Sequence, residues 1–245
     1  MSTPLLELRS IKKVFGAKKA LQGISFNINE GEIIGLLGVN GAGKTTLSSI
    51  IGTLNPPTSG DVLFRGTSIY RDVPGYRRFI GFCPQKPNLN EHLTLRQNLE
   101  FAGRYYGMSE TDIQARIKEL SASLELTEYL EQQPSVLSGG YKQRFSIARS
   151  IMHKPQFVIF DEPTVALDPH IRHQIWKIIK GLKAEGISIL LTTHYLDEAE
   201  ILSDRVVVLD KGLVRVIDTP QNLMADFKQK NLEDVFLQLM QEPKE

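Results

Sequence analysis

The amino-acid sequence predicts an α/β fold with a mostly parallel sheet, an antiparallel β subdomain and an inserted α-helical subdomain. Three observations lead to this prediction. A glycine-rich loop at residues 38–45 separates an apolar run from a helical pattern. Short apolar runs alternate with helical patterns over residues 157–209, and residues 86–136 show no strand pattern. Strands that alternate with helices form a parallel sheet, which binds ligands at the carboxyl ends of its strands.

We expect one domain, because a chain of 245 residues is long enough to bury one α/β core with a subdomain. Residues 1–85 and 138–210 are expected to form the nucleotide-binding core. Residues 86–137 are expected to form the helical subdomain, and residues 211–245 a C-terminal strand with helices.

Composition and charge exclude several classes of protein. The net charge is +1, so no global field favours nucleic acid or an anionic membrane, and we expect no nucleic-acid partner. The only cysteine, Cys83, can form no intrachain disulfide, which is typical of the reducing cytosol. No apolar run approaches the roughly 18 residues of a membrane helix, and the N-terminus lacks a signal-peptide pattern, so we expect a soluble chain. The lysine pairs at 12–13 and 18–19 are interpreted as solvated faces.

The glycine-rich loop reads GVNGAGKT and matches the G-x-x-x-x-G-K-[ST] phosphate-binding pattern at every fixed position. Its glycines allow positive φ, so successive N–H groups can wrap a phosphate, and the following helix points its positive dipole end at the same anion. Lys44 adds a charge near the β- and γ-phosphates, and the Thr45 hydroxyl can bind Mg²⁺. The alternative, a turn that binds nothing, is disfavoured by the strand and helix that flank the loop. We therefore predict a nucleoside-triphosphate site in a P-loop NTPase core, with contacts from Gly38, Asn40, Gly41, Gly43, Lys44, Thr45 and Thr46.

Alternation of apolar and polar residues predicts the strands of the first third. We interpret them as antiparallel and beside the phosphate loop, at residues 6–9, 24–29, 62–64 and 79–82. Phe15, next to Gly16, is expected in a loop. In the helical segment, Thr94–Gln97 and Ser109–Asp112 predict helix N-caps with reciprocal partners.

After the helical segment, the strand–helix alternation resumes. Asp168–Pro169 is expected to cap a helix with proline at its first position. In the tail, Thr219–Pro220 and Asn231 each open a short helix. The other elements expected are a helix at 141–152, strands at 157–160, 187–191 and 206–209, a helix at 195–202, and one strand after Lys211.

Two acids end the strand at 157–160. Asp161 would lie beside the phosphate loop, where its carboxylate can hold Mg²⁺ directly or through water. Glu162 could then polarise a water for in-line attack on the γ-phosphate. The alternative is a strand-end surface pair.

Three further signals stand at the ends of elements. Ser138, Gly139 and Gly140 begin a helix and form a second anion-binding nest, or else a simple N-cap. A second phosphate cradle is useful if two molecules face each other head to tail. His194 ends a strand facing the predicted crevice, whereas Gln85 alone indicates little. The remaining histidines are interpreted as structural: His92, His153, His170 and His173.

Together these motifs resemble the nucleotide-binding domain of ATP-binding-cassette (ABC) transporters over nearly the whole chain. Residues 38–46, 137–144 and 157–164 are similar to the Walker A, signature and Walker B motifs. Residues 165–168 are similar to the D-loop, Gln85 to the Q-loop and His194 to the switch histidine. All six follow the family's order.

The resemblance implies an ATP-sandwich dimer in which Ser138 and Gly140 of one subunit reach the nucleotide held by the other. Glu162 would be the base, His194 would clamp the γ-phosphate, and Phe15 would stack on adenine. The implied nucleotide contacts are Phe15, Lys44, Thr45, Thr46, Ser138, Gly139, Gly140 and Asp168. The implied Mg²⁺ ligands are Thr45, Gln85 and Asp161, and the implied catalytic residues are Lys44, Gln85, Glu162 and His194.

Residues 231–239 and 193–200 are similar to segments of ATPase subunits that serve drug, polysaccharide and lipid exporters. We therefore expect an exporter ATPase at the cytoplasmic face of the membrane, with membrane permease subunits and a second nucleotide-binding subunit as partners. The alternative is a soluble ABC-type ATPase acting on ribosomes or DNA. Such proteins usually carry tandem cassettes, long coiled-coil insertions or basic extensions. A small kinase would leave residues 137–144 unexplained.

Four leucines near the start of the helical segment show no single core-facing stripe: Leu89, Leu93, Leu95 and Leu99. We expect some of them to line an exposed groove that accepts a short cytoplasmic helix of the permease. The alternative is that all four lie inside the subdomain. Nucleotide state would tilt this segment through Gln85 at its entrance.

Overall fold

Ten strands in two sheets form the scaffold of residues 4–241, the part of the chain that the structure, a computed structural model, describes. The strands are β1 (Leu6–Phe15), β2 (Lys18–Ile28), β3 (Ile33–Leu37), β4 (Ser59–Phe64), β5 (Thr67–Ser68), β6 (Ile80–Cys83), β7 (Phe157–Asp161), β8 (Ser188–Thr192), β9 (Arg205–Asp210) and β10 (Leu213–Asp218). The α-helices are α1 (Lys44–Ile51), α2 (Val73–Arg77), α3 (Leu95–Tyr105), α4 (Glu110–Ser123), α5 (Gly139–Ser150), α6 (Pro169–Ala184), α7 (Leu196–Leu202), α8 (Pro220–Asp226) and α9 (Leu232–Gln241).

The larger sheet has the strand order β10-β9-β3-β8-β7-β6, and all neighbours are parallel except β10 and β9. Every residue of β3, β7 and β8 is buried. This is expected of parallel strands, because their crossover helices cover both faces. The smaller sheet, β2-β1-β4-β5, is antiparallel. The predicted fold class is confirmed.

Two details of the first third were predicted wrongly. The strand expected at 79–82 is β6, which pairs in parallel with β7 in the larger sheet rather than with the antiparallel strands. Its pairing depends on β7, more than seventy residues away in the sequence, so local alternation does not reveal it. Phe15 is the last residue of β1 and lies opposite Lys18, instead of in a loop.

The helical segment begins with the predicted capping box. The Thr94 hydroxyl accepts the Gln97 N–H, and the Gln97 side chain accepts the Thr94 N–H at 2.9 Å. The cap of α4 shows only one of its two predicted bonds. Ser109 accepts the Asp112 N–H, but the Asp112 carboxylate accepts the Ser109 hydroxyl at 2.6 Å, not the backbone N–H. A capping box uses Glu or Gln at this position, and aspartate is one methylene shorter.

The predicted leucine groove is not present. Leu89, Leu95 and Leu99 are buried in the larger core cluster, and Leu93 is half-buried. The exposed apolar side chains on α3 are instead Phe101 and Tyr105, each 65% exposed. Because they are four residues apart, they lie on the same side of the helix.

Helices α8 and α9 pack against one face of β9. Residues of α8 and α9, among them Leu223 and Val235, share a third apolar cluster with Val206 and Ala199. Within residues 4–241, no helix is both long and apolar enough to cross a membrane.

His153 connects the end of α5 to β6. Its ring stacks on Tyr106 at a centroid distance of 3.6 Å, and its Nε2 lies 2.9 Å from the carbonyl oxygen of Ile80. The Nε2–H tautomer donates to this oxygen. Burial lowers the pKa of His153, and this effect is larger than the opposite effect of the hydrogen bond to Ile80, so the pKa falls to about 4.

We expect His153 to weaken the fold as the pH falls. Its pKa in the folded state lies below the value of 6.5 in the unfolded state, so between those values the unfolded chain binds more protons. The free energy of unfolding should drop by about 1–2 kcal/mol between pH 6.5 and pH 5 because of this group. Urea unfolding at both pH values should show a smaller drop in His153→Gln. The exposed His92→Gln variant is the control, and a pH dependence unchanged by His153→Gln would contradict the assignment.

Candidate active site

Three residues from different parts of the sequence meet at the carboxylate of Glu162. Lys44 Nζ lies 3.6 Å from Oε1, and Gln85 Nε2 donates to Oε2 at 3.1 Å. His194 Nδ1 lies 3.3 Å from Oε2. Together with Glu162, these residues follow β3, β6, β7 and β8, and the carboxyl ends of parallel strands meet at one edge of the sheet. The Glu162 side chain is 11% exposed, so water screens its charges little.

The phosphate loop joins β3 to α1. Gly43, at the N-cap position of α1, has φ +113°, and a Cβ there would lie 2.7 Å from Leu21 and 3.0 Å from the carbonyl oxygen of Ala20. Both observations require glycine at this position. The buried Lys44 ammonium donates to the Gly38 carbonyl at 2.7 Å. The loop therefore curls around a positive charge at a helix N-terminus, a combination that binds phosphate.

A cleft of about 190 Å³ opens over this loop. The exposed ring of Phe15 lies at the cleft, with Lys13 Nζ 5.0 Å from its centre. Lys18 also lines the cleft, although we interpreted its pair as a solvated face. Its position opposite Phe15 in the β1–β2 hairpin was the signal that could have found it. The lining residues are Phe15, Lys18, Ala20, Asn40, Gly41, Gly43, Lys44, Thr45, Thr46 and Glu162.

Asp161, at the end of β7, is buried beside the loop. It lies opposite Thr192 of β8, whose hydroxyl donates to Oδ1 at 2.6 Å. Burial raises the pKa of Asp161; the Thr192 hydroxyl lowers it, and the neighbouring charge of Glu162 raises it further. Sequence reasoning did not identify Thr192.

These donors fit a magnesium ion. A cation would offset the cost of the buried Asp161 charge, and the hydroxyls of Thr45 and Ser48 act on the same carboxylate. Within residues 4–241, no three His, Cys, Asp or Glu side chains gather as a metal cage. Magnesium does not need one, because it takes one or two carboxylates together with substrate phosphates.

The backbone of Glu162 is strained. Its φ is +50°, in the left-handed region, which costs a non-glycine residue of order 1–3 kcal/mol. The N–H of Glu162 donates to both the carbonyl and the hydroxyl oxygen of Thr192, at 3.0 Å each. These bonds hold the residue in a conformation that lets its carboxylate contact Lys44.

The remaining predicted residues lie apart from the cleft, where Ser138, Gly139 and Asp168 are exposed and Gly140 is buried. Ser138 occupies the N-cap of α5, yet its hydroxyl makes no cap hydrogen bond, and Asp168 at the N-cap of α6 makes none either. A Cβ at Gly140 would lie 2.8 Å from Ile171, so the starts of the two helices pack closely. None of these residues lines the cleft within the described part of the chain. We call Ser138, Gly139, Gly140 and Asp168 the α5–α6 surface.

Comparisons with known proteins match this arrangement. A family model described as ABC transporter matches residues 21–165. The Nod factor export ATP-binding protein I of Rhizobium sp. (strain N33) is 39% identical over 226 residues, which is 92% of this chain and 74% of that protein. The linearmycin resistance ATP-binding protein LnrL of Bacillus subtilis (strain 168) is 38% identical over 219 residues, 89% of this chain and 70% of that protein.

A solved structure has the same fold over most of the chain. An ATP-binding cassette, dimeric and in a post-hydrolysis state with ADP and Pi, superposes with a TM-score of 0.80 at 30% identity. The match covers 87% of this chain and 98% of that one. Family, fold and site geometry coincide, and the chain therefore belongs to the ABC transporter family, as one of its ATP-hydrolysing subunits.

Proposed function

We propose that this chain drives export through a separate membrane permease, bound at the cytoplasmic face, by closing on a second nucleotide-binding subunit around ATP. The observation that carries the proposal is the separation of the nucleotide cleft from the α5–α6 surface. One chain by itself has no use for a second phosphate cradle. The names of two relatives, a Nod factor export protein and a linearmycin resistance protein, support export.

In this proposal the cleft holds the nucleotide. The ring of Phe15 stacks on adenine, and the amides at Asn40, Gly41 and Gly43 surround the phosphates. Lys44, Thr45 and Thr46 hold the β- and γ-phosphates from the first turn of α1. Thr45, Gln85 and Asp161 would hold Mg²⁺, which neutralises charge on the phosphate oxygens.

Glu162 acts as the base. Its carboxylate accepts a proton from the attacking water as the water oxygen bonds to the γ-phosphorus. The bond from that phosphorus to the β–γ bridging oxygen breaks, and ADP leaves with the electron pair. Gln85 and His194, which both contact Oε2, orient the carboxylate and the terminal phosphate. The strained backbone keeps the base at one angle, so little reorganisation accompanies the reaction.

The second subunit completes the site. A head-to-tail partner would bring its α5–α6 surface over the cleft. The N–H groups at the start of its α5, and its Ser138 hydroxyl, which makes no cap hydrogen bond, would then reach the γ-phosphate. Asp168 would lie at the same contact between the two subunits. Residues 86–137, the proposed helical subdomain, would move with this surface.

The permease would contact α3. Phe101 and Tyr105 form an exposed aromatic pair, and Tyr105 borders a cleft of about 380 Å³ that Arg77, Arg78 and Arg104 also line. Exposed aromatic residues beside arginine are enriched where proteins bind each other. A short permease helix with apolar and acidic residues fits this surface.

Acidic substitutions should test this docking surface. In Phe101→Glu and Tyr105→Glu we expect recovery with membranes to fall at least about tenfold, since a buried unpaired charge is costly. The ATPase activity of the isolated chain should stay unchanged. Co-purification from detergent-solubilised membranes measures how much of each variant is recovered with membranes. Mass spectrometry of the bound membrane protein identifies the permease.

Leu237→Glu is the matched control, because Leu237 on α9 is also more than half exposed. It should remain bound to membranes. Recovery of both α3 variants at the level of this control would show that the permease binds elsewhere.

A further inference from the structure

We propose that Glu198 is a positioning residue for ATP hydrolysis, which holds the loop after Glu162 and helix α6 against the segment that carries His194. This inference rests on the roles proposed above for Glu162 and His194. Glu198 lies in the segment 193–200 that resembles exporter ATPase subunits, but the sequence analysis assigned it no role in the site.

One oxygen of Glu198 joins three segments of the site. The side chain, on α7, is fully buried. Its Oε1 accepts the hydroxyl of Thr164 at 2.8 Å and the indole N–H of Trp176 at 2.7 Å. Thr164 lies two residues after Glu162, and Trp176 lies on α6, which begins next to Asp168. The loop that follows the base, the helix of the α5–α6 surface and the helix after His194 therefore share one acceptor.

A row of side chains in contact continues from this acceptor to His194. The guanidinium of Arg172 lies 5.3 Å from the Trp176 ring and 4.1 Å from the Tyr195 ring, and it pairs with Asp197 at 3.1 Å. The rings of Tyr195 and His194 are 4.3 Å apart. Contacts thus run without a gap from the helix of Trp176 to the imidazole proposed to clamp the γ-phosphate.

Stability alone does not account for this carboxylate. Burial raises the pKa of Glu198, and the hydrogen bonds from Thr193, Thr164 and Trp176 lower it only in part. A well-packed apolar side chain at such a position commonly makes a fold as stable or more stable. The buried acid therefore aligns the segments that it joins. Its hydrogen bonds are directional, so they fix Thr164 and Trp176 relative to α7, which apolar contacts would not do.

Removing the acceptor should slow the reaction without weakening nucleotide binding. In Glu198→Ala we expect kcat to fall about tenfold or more with KM for ATP within about threefold, because small displacements of catalytic groups are costly. In Glu198→Gln the amide oxygen can accept the same two bonds, so kcat should recover to within about threefold of wild type. Thr164→Val removes only one hydroxyl and should lower kcat about three- to tenfold with KM unchanged.

Glu200→Ala is the matched control. Glu200 lies on the same helix, but its Oε2 accepts the N–H of Leu232 at 2.9 Å and so holds α9 instead of the site. Its kcat should stay within about twofold of wild type. Trp176 is the only tryptophan of the chain, so its emission reports both folding and this contact in every variant.

The inference fails if folded Glu198→Ala keeps the wild-type kcat, or if Glu200→Ala loses as much as Glu198→Ala. Should Glu198→Ala not fold, a wild-type kcat in Thr164→Val overturns the inference in its place. A wild-type chain that hydrolyses no ATP would remove the proposed function and this inference together. An active wild type with unaffected variants removes the inference alone.

Discussion

Glu162→Gln should lose about 10²–10⁴-fold in the rate of ATP hydrolysis, because the amide cannot accept a proton from the attacking water. The affinity for ATP should stay within about threefold, since glutamine keeps the size and the contacts to Gln85 and His194. A slowed reaction leaves the ATP-bound pair closed. Size-exclusion chromatography with ATP and Mg²⁺ should therefore show the variant as a dimer, and steady-state hydrolysis measures the loss.

Glu128→Gln provides a control at an exposed glutamate outside the cleft, and it should hydrolyse ATP at the wild-type rate. A Glu162→Gln chain that hydrolyses ATP as fast as wild type would remove Glu162 from the mechanism. A variant that neither hydrolyses nor binds ATP would point instead to a role in holding the nucleotide.

Mixing two inactive chains should restore activity if each site is built from two subunits. Lys44→Ala damages the cleft and Ser138→Arg damages the α5–α6 surface, so each alone should lose at least about 10²-fold in hydrolysis. In a mixed pair both defects fall on one site and the other site is intact. At equal amounts, random pairing makes half the dimers mixed, and about a quarter of wild-type activity should return.

Ser123→Arg, an exposed substitution at the end of α4, is the control for the arginine and should be active alone. Titrating one chain into the other should give a maximum near equal amounts. A mixture that stays inactive at every ratio would contradict the head-to-tail arrangement for pairs of this chain, and would leave pairing with a different cassette as the remaining form of the proposal.

The sequence by itself was sufficient for the phosphate loop and for the first helix cap, whose signals are local. The phosphate loop was identified because strand, glycines, lysine and helix occur within some twenty residues, and the Thr94–Gln97 box because a cap involves one turn. The acids after β7 and the histidine after β8 were placed by the rule that parallel strands end at one edge. The alternation of strands and helices was enough for the fold class.

Other features depended on residues that are far apart in the chain. Whether β6 joins the parallel or the antiparallel sheet depends on β7, and whether Leu95 and Leu99 are core depends on α4 packing against α3. No pattern within one segment contains that information, because an apolar residue is buried only when another segment covers it.

The tertiary structure likewise decided the surroundings of the predicted site residues. No sequence pattern assigned a role in the site to Thr192 beside Asp161 or to Glu198 beneath the loop of the base. Each acts through a partner brought close by the fold: Thr192 lies 31 residues from Asp161, and Glu198 lies 34 from Thr164. Local sequence determines which groups can bind phosphate, whereas long-range packing determines which groups hold them in place.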